Sequence, residues 1–252
     1  MSEGLIDHIR ARGATSNIFC LLAWTAGVVL HAVMSGALTK KQIREKRGWF
    51  LFMAGYFTAG YMLINRVSAA RSSFYDVSLG FEHKIPFMPE FIFGYLVVYL
   101  SVVMAYVVID DMADWMRTVR SFLISTTISY AFFLALPVRM DMRPELVAGS
   151  GISEWATRLY YIVDLPYNCF PSLHVTYPVL ATMLVWGTKR NWRWAFLAMA
   201  AVVSVSVVLV KQHYIADVVA GAANAAAGYW LALLYERYFL TRKEVTQTQE
   251  AE

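Results

Sequence analysis

Apolar residues in this chain gather into long runs separated by short charged segments. Seven runs predict helices, over 17–37, 49–65, 91–109, 119–137, 172–187, 193–210 and 214–236. A bilayer core takes about 17–25 residues of helix, so several of these runs sit at the short end of that range. Tryptophan and tyrosine stand at several ends (Trp49, Tyr106, Trp115, Trp194, Tyr238). Their amphipathic rings anchor well at a membrane surface. The pattern predicts an all-α fold, a polytopic membrane helical bundle of six to seven transmembrane helices. Residues 1–240 are expected to form a single membrane-embedded domain, followed by a polar C-terminal tail, 241–252, that frays.

Two connections are long. The first, 66–90, contains Pro86 and Pro89, which deliver the chain into the third run. The second, 138–171, carries Arg139, Asp141, Arg143, Glu145, Glu154, Arg158 and Asp164. Loops of this size between short-linked helices are often functional.

Composition agrees with a membrane protein: of 252 residues, 58% are hydrophobic and only 16% are charged. The net charge of +4 does not point to nucleic acid, because the basic residues flank apolar runs, where topology accounts for them. The short loops at 38–48 (Lys40, Lys41, Arg44, Lys46, Arg47) and 188–192 (Lys189, Arg190) fall on one side with Arg242 and Lys243. That side is expected to be cytoplasmic. Arg139, Arg143, His174 and His213 then face away from the cytoplasm, in a cell inner or plasma membrane. No cleavable signal peptide is apparent at the N-terminus. The two cysteines, Cys20 and Cys169, have neither disulfide nor metal-site spacing.

Two segments carry the chemistry, YNCFPSLHVTYP (167–178) and KQHYIADVVAG (211–221). Each puts a histidine at the mouth of an apolar helix. Asp217 follows His213 by four residues, on the same helical face, where a carboxylate can hold the imidazole in one tautomer. Pro171 suits a first helical turn, whose unpaired N–H groups at Ser172 and beyond can face an anion. Arg139 and Arg143 are spaced to grip phosphate oxygens. A metal bound by the histidines and Asp217 competes with this reading, but Arg139, Arg143 and Lys211 would repel a metal ion and attract a phosphate. No metal and no cofactor are therefore expected.

The order RP, PSLH, HYxxDV resembles the type 2 phosphatidic acid phosphatase superfamily, which is related in fold to vanadium haloperoxidases. Its three motifs are KxxxxxxRP, PSGH and SRxxxxxHxxxD. Arg143 and Pro144 match the end of the first motif, with Leu136 at its lysine. Leu173 stands at the glycine of the second, and Val207 at the arginine of the third, where Ser206 is in place. The combination NxxPSLH with KQHYxxDV looks closer to the branch containing inositol phosphorylceramide and sphingomyelin synthases. The resemblance covers roughly residues 85–225.

The resemblance implies a metal-free lipid-phosphate phosphatase or lipid phosphotransferase. His213 would attack phosphorus and form a phosphohistidine, and Asp217 would orient it. His174 would protonate the leaving oxygen and later activate the acceptor. Arg143, Arg139, Lys211 and Ser172 would bind the phosphoryl oxygens. The implied partner is a lipid phosphate or phospholipid in the membrane, with water or an alcohol as acceptor. The alternative is a non-catalytic lipid-binding or lipid-transport protein that keeps the fold, which predicts loss of one of His174, His213 and Asp217. All three are present.

Overall fold

A computed structural model describes residues 38–146 and 151–240. The 17–37 run and the 241–252 tail lie outside the described residues. Helix α1 spans Lys40–Ala69, and a capping box between Thr39 and Gln42 satisfies its first N–H groups. It is longer than the 49–65 run because the basic segment before that run is also helical. Lys46, expected in a loop, is fully buried; its ammonium donates to the Ile109 carbonyl at 2.5 Å and lies over the Tyr106 and Trp115 rings.

Helix α2 (Pro89–Val108) opens with a 3₁₀ turn, as the proline at its first position allows. Helix α3 (Met112–Ala135) is capped by the Asp111 carboxylate, which accepts from the N–H groups of Ala113 and Asp114. Helix α4 (Ile152–Val163) lies inside the 138–171 connection, for which the apolar pattern predicts no helix. Helices α5 (Leu173–Trp186), α6 (Arg193–Leu209) and α7 (Ile215–Tyr235) follow the last three runs closely. The described residues contain no strand, only an isolated bridge between Tyr75 and Val138.

The described residues are all-helical, and three segments among them are long and apolar enough to cross a membrane: Pro89–Val108, Met112–Ala135 and Ile215–Phe239. Helices α5 and α6 are apolar but shorter, at 14 and 17 residues. The expected count of six to seven spans goes beyond these three. Val202, Val205, Val219, Trp230 and Leu234 stay exposed on α6 and α7. An outward apolar face of this kind suits contact with lipid.

Helix α7 packs on α3 and α5, and α5 packs on α6. Small residues let these axes approach, which is how helices associate where lipid removes the usual hydrophobic drive. A Cβ at Gly228 would fall 1.9 Å from Ser125 Oγ. The Asn224 amide donates to Ser125 O (3.0 Å) and Ser129 Oγ (2.9 Å), tying α7 to α3. Glu236 pairs with Arg117 and Arg120, and Lys189 with Asp110, where α7 and α5 end. The starts of α5 and α7, with their histidines, lie at the opposite end of these helices.

Candidate active site

Two turns build the site. The first descends from Asn168 to Ser172 and starts α5. The second runs from Val210 to Tyr214 and starts α7. Each holds a non-glycine residue in the left-handed region, Asn168 at φ 60° and Lys211 at φ 50°. Asparagine tolerates this conformation; lysine is strained there, as residues at functional turns often are. The Val207 carbonyl accepts from both Gln212 N (2.9 Å) and His213 N (3.1 Å), which closes the second turn. The buried Glu82 carboxylate accepts from Ile215 N at 2.6 Å and so caps α7 from a distant loop.

These turns bring the two sequence-predicted histidines together. His174 Nδ1 lies 3.1 Å from His213 Nε2, and His213 Nδ1 lies 3.2 Å from Asp217 Oδ2. Asp217 is fully buried, and the same Oδ2 accepts the Tyr214 N–H at 2.9 Å. With Asp217 ionised, His213 carries its proton on Nδ1, which leaves the Nε2 lone pair directed at His174.

The four residues expected to bind phosphate are placed differently from one another. Arg143 reaches the site: it donates to the Asp164 carbonyl (2.9 Å) and to Gln212 Oε1, and its guanidinium lies 4.5 Å over the Tyr161 ring. Ser172 is fully buried and its Oγ has no hydrogen-bond partner among the described residues. Arg139 instead donates to Asp141 at 2.6 Å and covers the Phe74 ring. The Lys211 ammonium donates to the Glu82 carbonyl at 3.2 Å, and burial lowers its pKa although Glu82 opposes the shift. A residue's position in a motif fixes its backbone, and local partners then decide where a long side chain goes.

The sequence reading passed over several residues that the fold delivers. Among the described residues, Asn168 Nδ2 and Gln212 Nε2 are buried donors without hydrogen-bond partners, as are Arg143 Nε and Ser172 Oγ. Their acceptor atoms are already engaged, Asn168 Oδ1 by Ser68 and Gln212 Oε1 by Arg143, so the free ends are donors. Buried donors rarely go unpaired, and several around one site suit an anion. The NxxPSLH and KQH patterns were the available signal for Asn168 and Gln212. Behind His174 stand Tyr95, whose OH lies 2.5 Å from Nε2, and Asp164, whose Oδ2 lies 3.9 Å from it. Burial raises the Asp164 pKa above the usual carboxylate range, and Arg143 opposes that rise.

Cys169 also belongs here, despite lacking metal-site spacing in the sequence. Its Sγ and the ligand atoms of His213 and Asp217 all lie within 4.8 Å of one another. Burial, then the Asp217 charge, pushes the thiol pKa well up. A neutral thiol is a poor nucleophile.

The chain matches the PAP2 superfamily over residues 86–231, more than half of its length, and belongs to that superfamily. Members of that superfamily are typically phosphatase-like enzymes, so membership suggests phosphatase or phosphotransferase activity. The match does not resolve the branch closest to inositol phosphorylceramide and sphingomyelin synthases. No curated protein and no solved structure matches the chain.

Proposed function

We propose that this protein is an integral membrane lipid-phosphate phosphatase or lipid phosphotransferase that works through a phosphohistidine without a metal. The observation that carries this reading is the alignment of His174, His213 and Asp217, with gaps of 3.1 and 3.2 Å. His213 Nε2 attacks phosphorus, and Asp217 stabilises the positive charge that develops on the ring. His174 gives a proton to the departing oxygen, then takes one from the acceptor. Arg143, Ser172, Asn168 and Gln212 supply donors to the phosphoryl oxygens, whose charge the transition state must stabilise. Arg139 and Lys211, turned to Asp141 and to the Glu82 carbonyl, add positive charge that attracts anionic headgroups.

The substrate in this reading is a lipid phosphate or phospholipid, which suits a site at the end of apolar helices. The test is turnover by the purified chain on a panel of lipid phosphates and phospholipids, with and without alcohol acceptors and a chelator. Both free phosphate and new headgroup lipids are read. Chelator-resistant turnover is expected. Activity lost to the chelator and restored by zinc would sink the metal-free mechanism, and lipid binding without turnover would favour the non-catalytic reading.

In the same proposal the membrane domain has six or seven spans and sits in a cell inner or plasma membrane. The branch is that of the inositol phosphorylceramide and sphingomyelin synthases. The site faces away from the cytoplasm, because the 38–48 and 188–192 segments at the other end are the more basic. A variant lacking Cys20 and Cys169, with one new cysteine in the 145–155 segment, should react with an impermeant maleimide on intact cells. Labelling only after the membrane is opened would reverse this topology.

A further inference from the structure

Resting on the phosphohistidine reading, a second carboxylate in the site remains without a role. Asp164 ends α4, on the far side of His174 from Asp217. It is buried, and it is faced by groups from three helices and the arginine loop. Tyr61 of α1 donates to its Oδ1 at 2.7 Å. The Tyr95 hydroxyl of α2 lies 3.4 Å from its Oδ2. His174 of α5 approaches the same oxygen at 3.9 Å. Arg143 holds the backbone carbonyl of Asp164. Both carboxylate oxygens therefore turn to phenols, and one phenol bridges to a histidine.

The Tyr95 bridge is close: its hydroxyl lies 2.5 Å from His174 Nε2. The Tyr160 hydroxyl lies 3.5 Å from that nitrogen and 2.6 Å from the Tyr99 hydroxyl. The other ring nitrogen of His174, Nδ1, is the one that faces His213. His174 is thus held on its far side by a phenol and a carboxylate, as His213 is held directly by Asp217.

We propose that Asp164, acting through Tyr95, is a positioning pair that fixes the proton on His174 Nε2. The Tyr95 hydroxyl donates to the Asp164 carboxylate, and its oxygen accepts the Nε2–H of His174. Nδ1 is then the only position on the ring that exchanges a proton. In the first half-reaction a bond forms from His213 Nε2 to phosphorus. The bond from phosphorus to the leaving oxygen breaks, and that oxygen takes the proton from His174 Nδ1. In the second half-reaction the acceptor O–H gives its proton to His174 Nδ1. The acceptor oxygen bonds to phosphorus as the N–P bond breaks. Acid and base are one atom in two states, which requires the opposite nitrogen to keep its proton throughout.

Two measurements on the full-length chain test this, with Tyr95→Phe and Asp164→Asn, both close in shape to the wild type. The first reads the ring directly, by ¹⁵N NMR of histidine-labelled protein in detergent, with His174→Gln to assign the signal. Wild type should show Nε2 protonated, and both variants should shift toward the other tautomer. A wild-type ring protonated on Nδ1 alone, or spectra unchanged in both variants, would overturn the proposal. The second uses octyl phosphate and 4-nitrophenyl phosphate, which differ in their need for a proton on the leaving oxygen. Each variant should lose about 10–100-fold on the alkyl ester, part of the usual acid–base contribution. The first turnover of the aryl ester should stay within about threefold. Equal losses on both esters would mean a structural role only. His213→Ala separates the two ideas: if it still turns over either ester, the phosphohistidine reading fails whatever the NMR shows.

Discussion

Replacing His213 with alanine is expected to abolish turnover on every substrate. In the proposed mechanism its Nε2 bonds to phosphorus, and its Nδ1 is already engaged by Asp217. No neighbour can substitute for it. His174 is pinned by Tyr95, and the buried Cys169 thiol stays protonated. The loss should be on the order of 10⁶-fold, the scale that follows deletion of a covalent nucleophile. Removing His174 is less severe, about 10²–10⁴-fold, because it deletes an acid–base contribution and leaves the nucleophile in place. With an activated leaving group, His174→Ala should form the phosphoenzyme and fail to discharge it. Radiolabelled phosphate bound to the protein, acid-labile and base-stable, would register that species. Near-normal turnover in His213→Ala would show that the nucleophile is elsewhere.

A single methyl group at residue 221 should also disable the protein. Gly221 of α7 crosses the start of α5 so closely that an added Cβ would lie 2.6 Å from the Ser172 carbonyl oxygen and 3.2 Å from Val175 Cβ. The first obstacle is backbone and cannot rotate away. The Gly221 carbonyl also accepts from Thr176 at 3.0 Å, and Ser172 N donates to the Asp217 carbonyl at 3.1 Å. Pushing the helices apart therefore separates Asp217 from the turn that carries His174. Overpacking of this sort costs about 1–3 kcal/mol. A misplacement of about 1 Å at a reacting pair can cost about 10²-fold in rate. Gly221→Ala should thus lose more activity than stability, and Gly221→Val should lose both. Thermal unfolding and turnover measured together decide it; unchanged kcat in Gly221→Ala would mean the helices absorb the methyl without moving the site.

Local pattern predicted what it physically controls. The starts of α5 and α7 were legible because an apolar run following Pro171-Ser172 or the KQHY turn has few other ways to fold. His213 and Asp217 do meet, but not as two positions on one helical face: His213 lies in the turn before α7, and Asp217, in the first turn of α7, reaches back to it. Helix α4 escaped because its one strongly amphipathic stretch, 152–163, is short and mixed with charge. The true length of α1 was hidden because Lys40 to Arg47 read as a loop by charge. They are helical because Thr39 caps them and Lys46 finds the Ile109 carbonyl. Tyr95 and Asp164 could not be read at all. They lie 79 and 10 positions from His174 in sequence, and only the packing of α2 and α4 against α5 brings them to its ring.

Asp217 has two attachments, and they bear on how activity is inferred in related chains. One oxygen accepts both from His213 and from the first N–H of the α7 turn, at Tyr214. The second attachment stabilises the helix whether or not any phosphate is ever transferred, because a capped N-terminus is worth roughly 1 kcal/mol on its own. A descendant that had lost its chemistry would still be under selection to keep this aspartate. Its presence is therefore an ambiguous marker of a living enzyme. His213 has no comparable structural duty through its Nε2, so drift at that position would record the loss of catalysis first.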